Sequence, residues 1–62
     1  MDINKADAAA LMQVRGIGEK RAAQIIAYRT GNGGIKDMKE LLEIEGIGEV
    51  TLQRLEEKFY AD

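Results

Sequence analysis

The sequence predicts an all-α fold of four to five short helices, arranged as two hairpins related by pseudo-two-fold symmetry. The segment Gly16-Ile17-Gly18-Glu19 returns thirty positions later as Gly46-Ile47-Gly48-Glu49, and apolar residues on both flanks recur at the same offset. The 62-residue chain is 45% apolar and contains no proline, a composition that suits short helices. Because each copy occupies about half of the chain, we interpret the sequence as an internal duplication.

Each copy predicts a tight turn between two helices. Glycine adopts positive φ without a Cβ clash, so Gly16 and Gly18 in the first copy, and Gly46 and Gly48 in the second, allow the chain to reverse within a few residues. The isoleucine between the glycines is predicted to enter the core. The backbone N–H groups that begin the following helix remain without partners, and such a helix N-terminus favours anions.

The first hairpin is predicted to consist of two helices. Asp7 is an acceptable N-cap for the first helix, which carries Leu11 and Met12 as core residues and is stopped by Gly16. The second helix is expected from about Gly18 to Arg29 or Thr30. Its apolar stripe follows the amphipathic spacing at Ala22, Ile25 and Ile26.

The second hairpin follows a glycine-rich loop at residues 31–34. Asp37 and Glu40 have the spacing of a capping box, which predicts the start of a third helix. The buried side of that helix is predicted to carry Met38, Leu41, Leu42 and Ile44. A fourth helix is predicted to bury Leu52, Leu55 and Phe59. Residues from Tyr60 onward are expected to fray.

The composition excludes several function classes. Histidine, cysteine and serine are absent, which removes the usual nucleophile–base pairs and thiolate metal sites. We therefore predict no catalytic residue, no metal ligand and no enzyme activity, and we assign the acids to a solvated face: Glu40, Glu43, Glu56 and Glu57. No signal or transmembrane segment is recognised, so no membrane contact is expected from this segment and the compartment stays open.

The formal net charge of −2 is unevenly distributed. Residues 1–30 carry five cations against three acids, which gives +2, whereas residues 31–62 carry four cations against eight acids, which gives −4. Three of the cations, Arg15, Lys20 and Arg21, surround the first glycine turn, while Glu45 and Glu49 flank the second. The first turn is therefore the better candidate for binding a polyanion.

From about Ile3 to Phe59 the chain resembles the tandem helix-hairpin-helix domain, in particular the branch found in bacterial ComEA-like competence proteins. The resemblance implies a single domain over residues 1–62, with motifs at about 7–29 and 37–59. It also implies binding to double-stranded DNA without sequence preference. Carried over to this chain, the amide donors would be Gly16, Ile17, Gly18, Gly46, Ile47 and Gly48. The neighbouring cations would be Arg15, Lys20 and Arg21.

Other interpretations remain open at this point. The acidic second half also fits a protein-interaction or scaffolding domain with weak or no DNA binding. The absence of Ser, Cys, His, Pro and Trp also fits a minimal or engineered hairpin pair. No cofactor is predicted, although relatives sometimes hold a monovalent cation with hairpin carbonyls. We expect a monomer and leave a dimer open.

Overall fold

The computed structural model describes residues 1–61, and this part of the chain folds into three α-helices and one 3₁₀ helix. The elements in chain order are α1 (Ala8–Leu11), α2 (Glu19–Gly31), the 3₁₀ helix η1 (Met38–Glu43) and α3 (Glu49–Lys58). Helices α1 and α2 form the first motif, and η1 and α3 form the second. The all-α prediction is confirmed.

The two turns have nearly the same backbone geometry. Gly16 and Gly46 have φ angles of +99° and +93°, in the region that L-residues with a Cβ avoid. Gly18 and Gly48 are extended instead, with φ angles of −97° and −99°, and they are the N-caps of α2 and α3. The expectation of positive φ was therefore wrong for the second glycine of each turn.

One hydrophobic core joins the two motifs, and its burial pattern repeats with the sequence. Leu11 and Leu41 are fully buried, and both hairpin isoleucines, Ile17 and Ile47, are 4% exposed. The full set of buried apolar residues is Ile3, Ala6, Leu11, Val14, Ile17, Ala22, Ile25, Ile35, Met38, Leu41, Ile44, Ile47, Leu52, Leu55 and Phe59. The prediction that each hairpin isoleucine enters the core is confirmed.

Two polar side chains tie the chain's lead-in to the rest of the fold. The Asn4 side chain accepts from Ile35 N at 2.6 Å and donates to Ile35 O at 2.8 Å. Arg29 Nη1, near the end of α2, donates to the carbonyls of Ile3 and Ala6 at 2.8 Å each. These bonds fix the first residues against the central loop and α2, so Arg29 has a structural role.

Two residues predicted to be buried lie at the surface. Met12 and Leu42 are each 40% exposed. Met12 lies just past α1, which is a single turn. Leu42 lies in η1, a 3₁₀ helix, in which side chains three residues apart share a face. Met38, Leu41 and Ile44 follow that spacing and are buried, so the residue directly after Leu41 points away from the core.

The segment that follows α3 pairs with the start of the chain. Ile3 N donates to Tyr60 O at 2.8 Å, and Tyr60 N donates to Met1 O at 3.0 Å. The prediction that Tyr60 frays was wrong for this residue, because the stabilising contact comes from the opposite end of the sequence. The same prediction for Asp62 lies outside the described residues.

Glu40 is the centre of a hydrogen-bond network and not a member of a solvated acidic face. Its Oε2 accepts from the amides of Lys36 and Asp37 at 2.9 Å each, which completes the predicted capping box. Its Oε1 accepts from the Tyr28 hydroxyl at 3.2 Å and from Asn32 Nδ2 at 2.8 Å. The amides of Lys36 and Asp37, which favour the ionised carboxylate, lower the pKa of Glu40.

Candidate nucleic-acid interface

The amide of each hairpin isoleucine is used within its own turn. Ile17 N donates to Val14 O at 3.0 Å, and Ile47 N donates to Ile44 O at 3.1 Å. These bonds close the two turns and bury the isoleucine side chains. An amide that is already bonded in its own turn is a poorer donor for a ligand than a free one, and the donor role of these two residues stays a prediction.

The glycine amides are free and exposed. Within residues 1–61, the N–H groups of Gly16, Gly18, Gly46 and Gly48 have no hydrogen-bond partner in the protein. Neither α2 nor α3 has a side-chain N-cap hydrogen bond. Each motif therefore presents uncapped helical amides, together with the positive end of the helix dipole, to the solvent.

The chain caps its other two helical segments differently. At the start of α1, Asp7 Oδ1 accepts from Ala10 N at 2.9 Å, and at the start of η1, Asp37 Oδ1 accepts from Lys39 N at 2.9 Å. Aspartate satisfies the first amides of a helix and neutralises its dipole. Glycine does neither, so the two hairpin helices are the ones that retain free donors.

The side chains around the two turns differ in charge, although their backbones match. Arg15 and Lys20 are exposed at the first turn. The positions thirty residues later are Glu45 and Val50, and Val50 is 61% exposed. Since the free amides are equivalent, the side chains make the first turn the more favourable one for an anion.

Arg21, the third cation of the first turn, reaches across to the second. Its Nε donates to Gly46 O at 3.1 Å, and its guanidinium occupies the space that a Cβ on Gly46 would need. In the opposite direction, Arg54 Nη1 from α3 lies 3.5 Å from Arg15 O, at the outer limit of a hydrogen bond. Each turn is thus contacted by an arginine from the other motif.

The start of α2 and the second turn border an opening on the surface. This polar cavity of about 190 Å³ is lined by Lys20, Arg21, Gln24, Glu45 and Gly46. Its walls come from the start of α2 and from the second turn. Cationic side chains of the first motif and the second turn therefore meet on one face.

Residues 1–61 lack two further features. None of the helices there has both the length and the apolar character needed to cross a membrane. In the same range, no group of three or more acidic side chains is placed so that it could hold a metal ion.

The repeated turn, the buried isoleucine and the uncapped second helix define a pair of helix-hairpin-helix motifs. A family model described as the helix-hairpin-helix motif matches residues 1–60. The chain therefore belongs to the helix-hairpin-helix family, and the resemblance inferred from the sequence is confirmed.

Among known proteins, the chain is similar to several longer ones. It is 36% identical over its full length to rat endonuclease/exonuclease/phosphatase family domain-containing protein 1, and it spans 11% of that protein. It is 38% identical over 55 residues to an uncharacterised protein of Haemophilus influenzae and spans 49% of it. It is 33% identical over 55 residues to ComE operon protein 1 of Bacillus subtilis and spans 27% of it. No solved structure matched.

Proposed function

We propose that this domain binds the phosphate backbone of duplex DNA without sequence preference. The observation that carries the proposal is the pair of exposed, uncapped helix N-termini that follow the two glycine turns, with exposed cations at the first. Free amides and a helix dipole form a ready site for a phosphate oxygen. Two such sites on one small domain suit a ligand that carries phosphates at regular intervals.

The contributions of the two turns are unequal in this proposal. At the first turn, Gly16, Gly18 and the uncapped first amides of α2 donate to phosphate, and Arg15 and Lys20 add charge. At the second turn, Gly46 and Gly48 offer the same amides, but Glu45 and Glu49 repel a phosphate. The first turn is therefore the main contact, and the second supplies a weaker one.

Contact through the backbone explains the lack of sequence preference. Phosphate contacts position a protein on DNA, whereas base-edge contacts select a sequence. The three aromatic residues are also unsuited to a stacking platform for single strands. Phe59 is buried, and the Tyr28 hydroxyl bonds to Glu40. The exposed Tyr60 is a single ring that pairs through its backbone with the start of the chain. We therefore expect a preference for duplex over single-stranded DNA.

The domain acts in this proposal as a non-catalytic binding module of a protein related to competence and DNA uptake. The sequence provides no nucleophile–base pair for catalysis. The similarity to ComE operon protein 1 of Bacillus subtilis agrees with the ComEA-like resemblance of the sequence. The similarity to the rat protein covers 11% of that protein, and the enzyme name of that protein belongs to its whole chain.

The test is a titration of a short, fluorescently labelled duplex with the domain at several salt concentrations. If two to four phosphates are neutralised, affinity should fall about 10- to 150-fold between about 50 and 200 mM salt. Arg15→Gln/Lys20→Gln should weaken binding and flatten this salt dependence. Lys36→Gln/Lys39→Gln removes the same charge from the exposed region around η1 and is the matched control.

The outcomes separate the candidate functions. Equal losses in the two double variants would show that only net charge matters and would refute a specific role for the first turn. Absence of binding at low salt, with the helical circular dichroism spectrum intact, would refute DNA binding by this domain. That second result would favour the protein-interaction interpretation, which a search for a binding partner would then address.

A further inference from the structure

We infer that Arg21 is a positioning residue that holds the second turn in a fixed orientation relative to the first. The inference rests on the DNA-binding function proposed above and adds a role for a side chain that the sequence suggests is only a phosphate-facing cation. Arg21 lies at the start of α2, yet its Nε donates to Gly46 O at 3.1 Å, 25 residues along the chain. No other side chain donates to a carbonyl of the second turn within residues 1–61.

The shape of the second turn is adapted to this contact. The guanidinium of Arg21 fills the place of a Cβ at Gly46, so a larger residue there would displace it. At the first turn the corresponding space is open: a Cβ on Gly16 would meet Thr51 and Arg54 only at ordinary van der Waals distances, from 3.6 to 3.9 Å. The glycine at position 46 thus serves two purposes, a positive φ and room for the arginine.

The chemistry of arginine fits the role better than that of lysine. A planar guanidinium can donate through Nε to Gly46 O while its remaining N–H groups stay available, whereas an ammonium group is a point charge on a flexible stem. Loss of the Nε bond would loosen the second turn, although the shared core would still hold the two motifs together. Because the phosphates of a duplex are fixed in space, a movable second turn would bind them less well.

The binding test compares Arg21→Lys with Lys20→Gln in the titration above. Arg21→Lys keeps the charge, so binding would retain its affinity and its salt dependence if Arg21 acted on phosphate through its charge alone. If Arg21 positions the second turn, Arg21→Lys should instead lower the affinity for the duplex about two- to fivefold and leave the salt slope unchanged. Lys20→Gln, its neighbour, should lower the slope by about 0.9.

A second measurement identifies the route of the effect. Gly48→Ser fills the N-cap of α3 and weakens the contribution of the second turn. If Arg21 acts through that turn, Arg21→Lys should cause little further loss in the Gly48→Ser background, whereas the Lys20→Gln and Gly48→Ser effects should add. Full additivity of Arg21→Lys with Gly48→Ser would overturn the inference.

The positioning role can also be tested without DNA, so that failure of the proposed function is distinguishable from failure of this inference. In the free domain, Arg21→Lys should shift the NMR signals of the Gly46 carbonyl carbon and the Ile47 amide, and it should increase hydrogen exchange at the second turn. Lys20→Gln should leave both signals in place. Unchanged Gly46 and Ile47 signals in Arg21→Lys would refute the contact regardless of any DNA result.

Discussion

The substitution Gly18→Ser, at the N-cap of α2, should separate the stability of the domain from its affinity for DNA most clearly. Gly18 has an extended conformation with φ −97° and ψ −171°, which any residue adopts, and a Cβ there would meet nothing within 4 Å. Serine therefore fits without strain. Its hydroxyl is expected to accept from the amide of Lys20 or Arg21 and so to cap a helix that now has no side-chain cap.

The expected effects on stability and on binding have opposite signs. Serine in place of glycine at an N-cap should stabilise the domain by a few tenths of a kcal/mol. The same hydroxyl occupies an amide that the proposed phosphate contact uses. An exposed, charge-assisted hydrogen bond worth about 0.7–1.4 kcal/mol corresponds to a three- to tenfold loss of affinity for the duplex.

Urea denaturation followed by circular dichroism measures the stability, and the duplex titration measures the affinity. Gly48→Ser is the matched substitution at the second turn, where φ is −99° and a Cβ again meets nothing within 4 Å. It should raise the urea midpoint similarly but reduce affinity less, about two- to threefold, because the acids beside it already weaken the contact. If Gly18→Ser stabilises the fold and leaves DNA affinity unchanged, the free amides are not the phosphate donors.

Three further predictions concern the fold. Gly16→Ala should lower the free energy of unfolding by about 1–2 kcal/mol, because alanine is strained at the positive φ of this position. Gly46→Ala should lower it by about 1 kcal/mol more, because it also displaces the Arg21 bond. Equal urea midpoints for the two variants would contradict this prediction. Because hydrogen bonds lower the pKa of Glu40, the stability it contributes is present above its usual pKa and lost as pH falls through the lowered value. The urea midpoint should therefore fall more steeply between about pH 5 and 3 in the native protein than in Glu40→Gln. Parallel plots of urea midpoint against pH for the two proteins would refute this prediction. Asn4→Ala removes two hydrogen bonds and should lower the free energy of unfolding by about 2 kcal/mol. A decrease of less than about 0.5 kcal/mol would show that water replaces these bonds.

The features predicted correctly from the sequence are those that depend on local or repeated patterns. The offset of thirty residues located both turns, because matched glycines and apolar residues require the same backbone twice. The capping box at Asp37 and Glu40 was also predictable, since both partners lie within one helical turn. The interpretation of the first turn as the basic one needed only the positions of Arg15 and Lys20.

The errors came from spacing and from contacts between distant residues. A spacing of 3.6 predicts that Leu42 is buried, but the 3₁₀ helix η1 has a spacing of three. Tyr60 is held by the first residues of the chain, and Glu40 accepts from Tyr28. A pattern read along one helix contains no information about such partners. Arg21 belongs to the same group, because its position beside the first turn gave no sign that it bonds to the second.

The two motifs show which properties of the turn the fold requires and which it leaves free. The φ angles of Gly16 and Gly46 differ by a few degrees, and both isoleucines have the same exposure, so folding fixes these features in each copy. Charge is not fixed, since Arg15 corresponds to Glu45. A symmetric pair of turns with equal cations would bind phosphate more tightly and with a steeper salt dependence, whereas one acidic turn lowers the overall affinity and makes that dependence shallower. The charge difference therefore limits the strength of the proposed DNA contact without changing the fold of either turn.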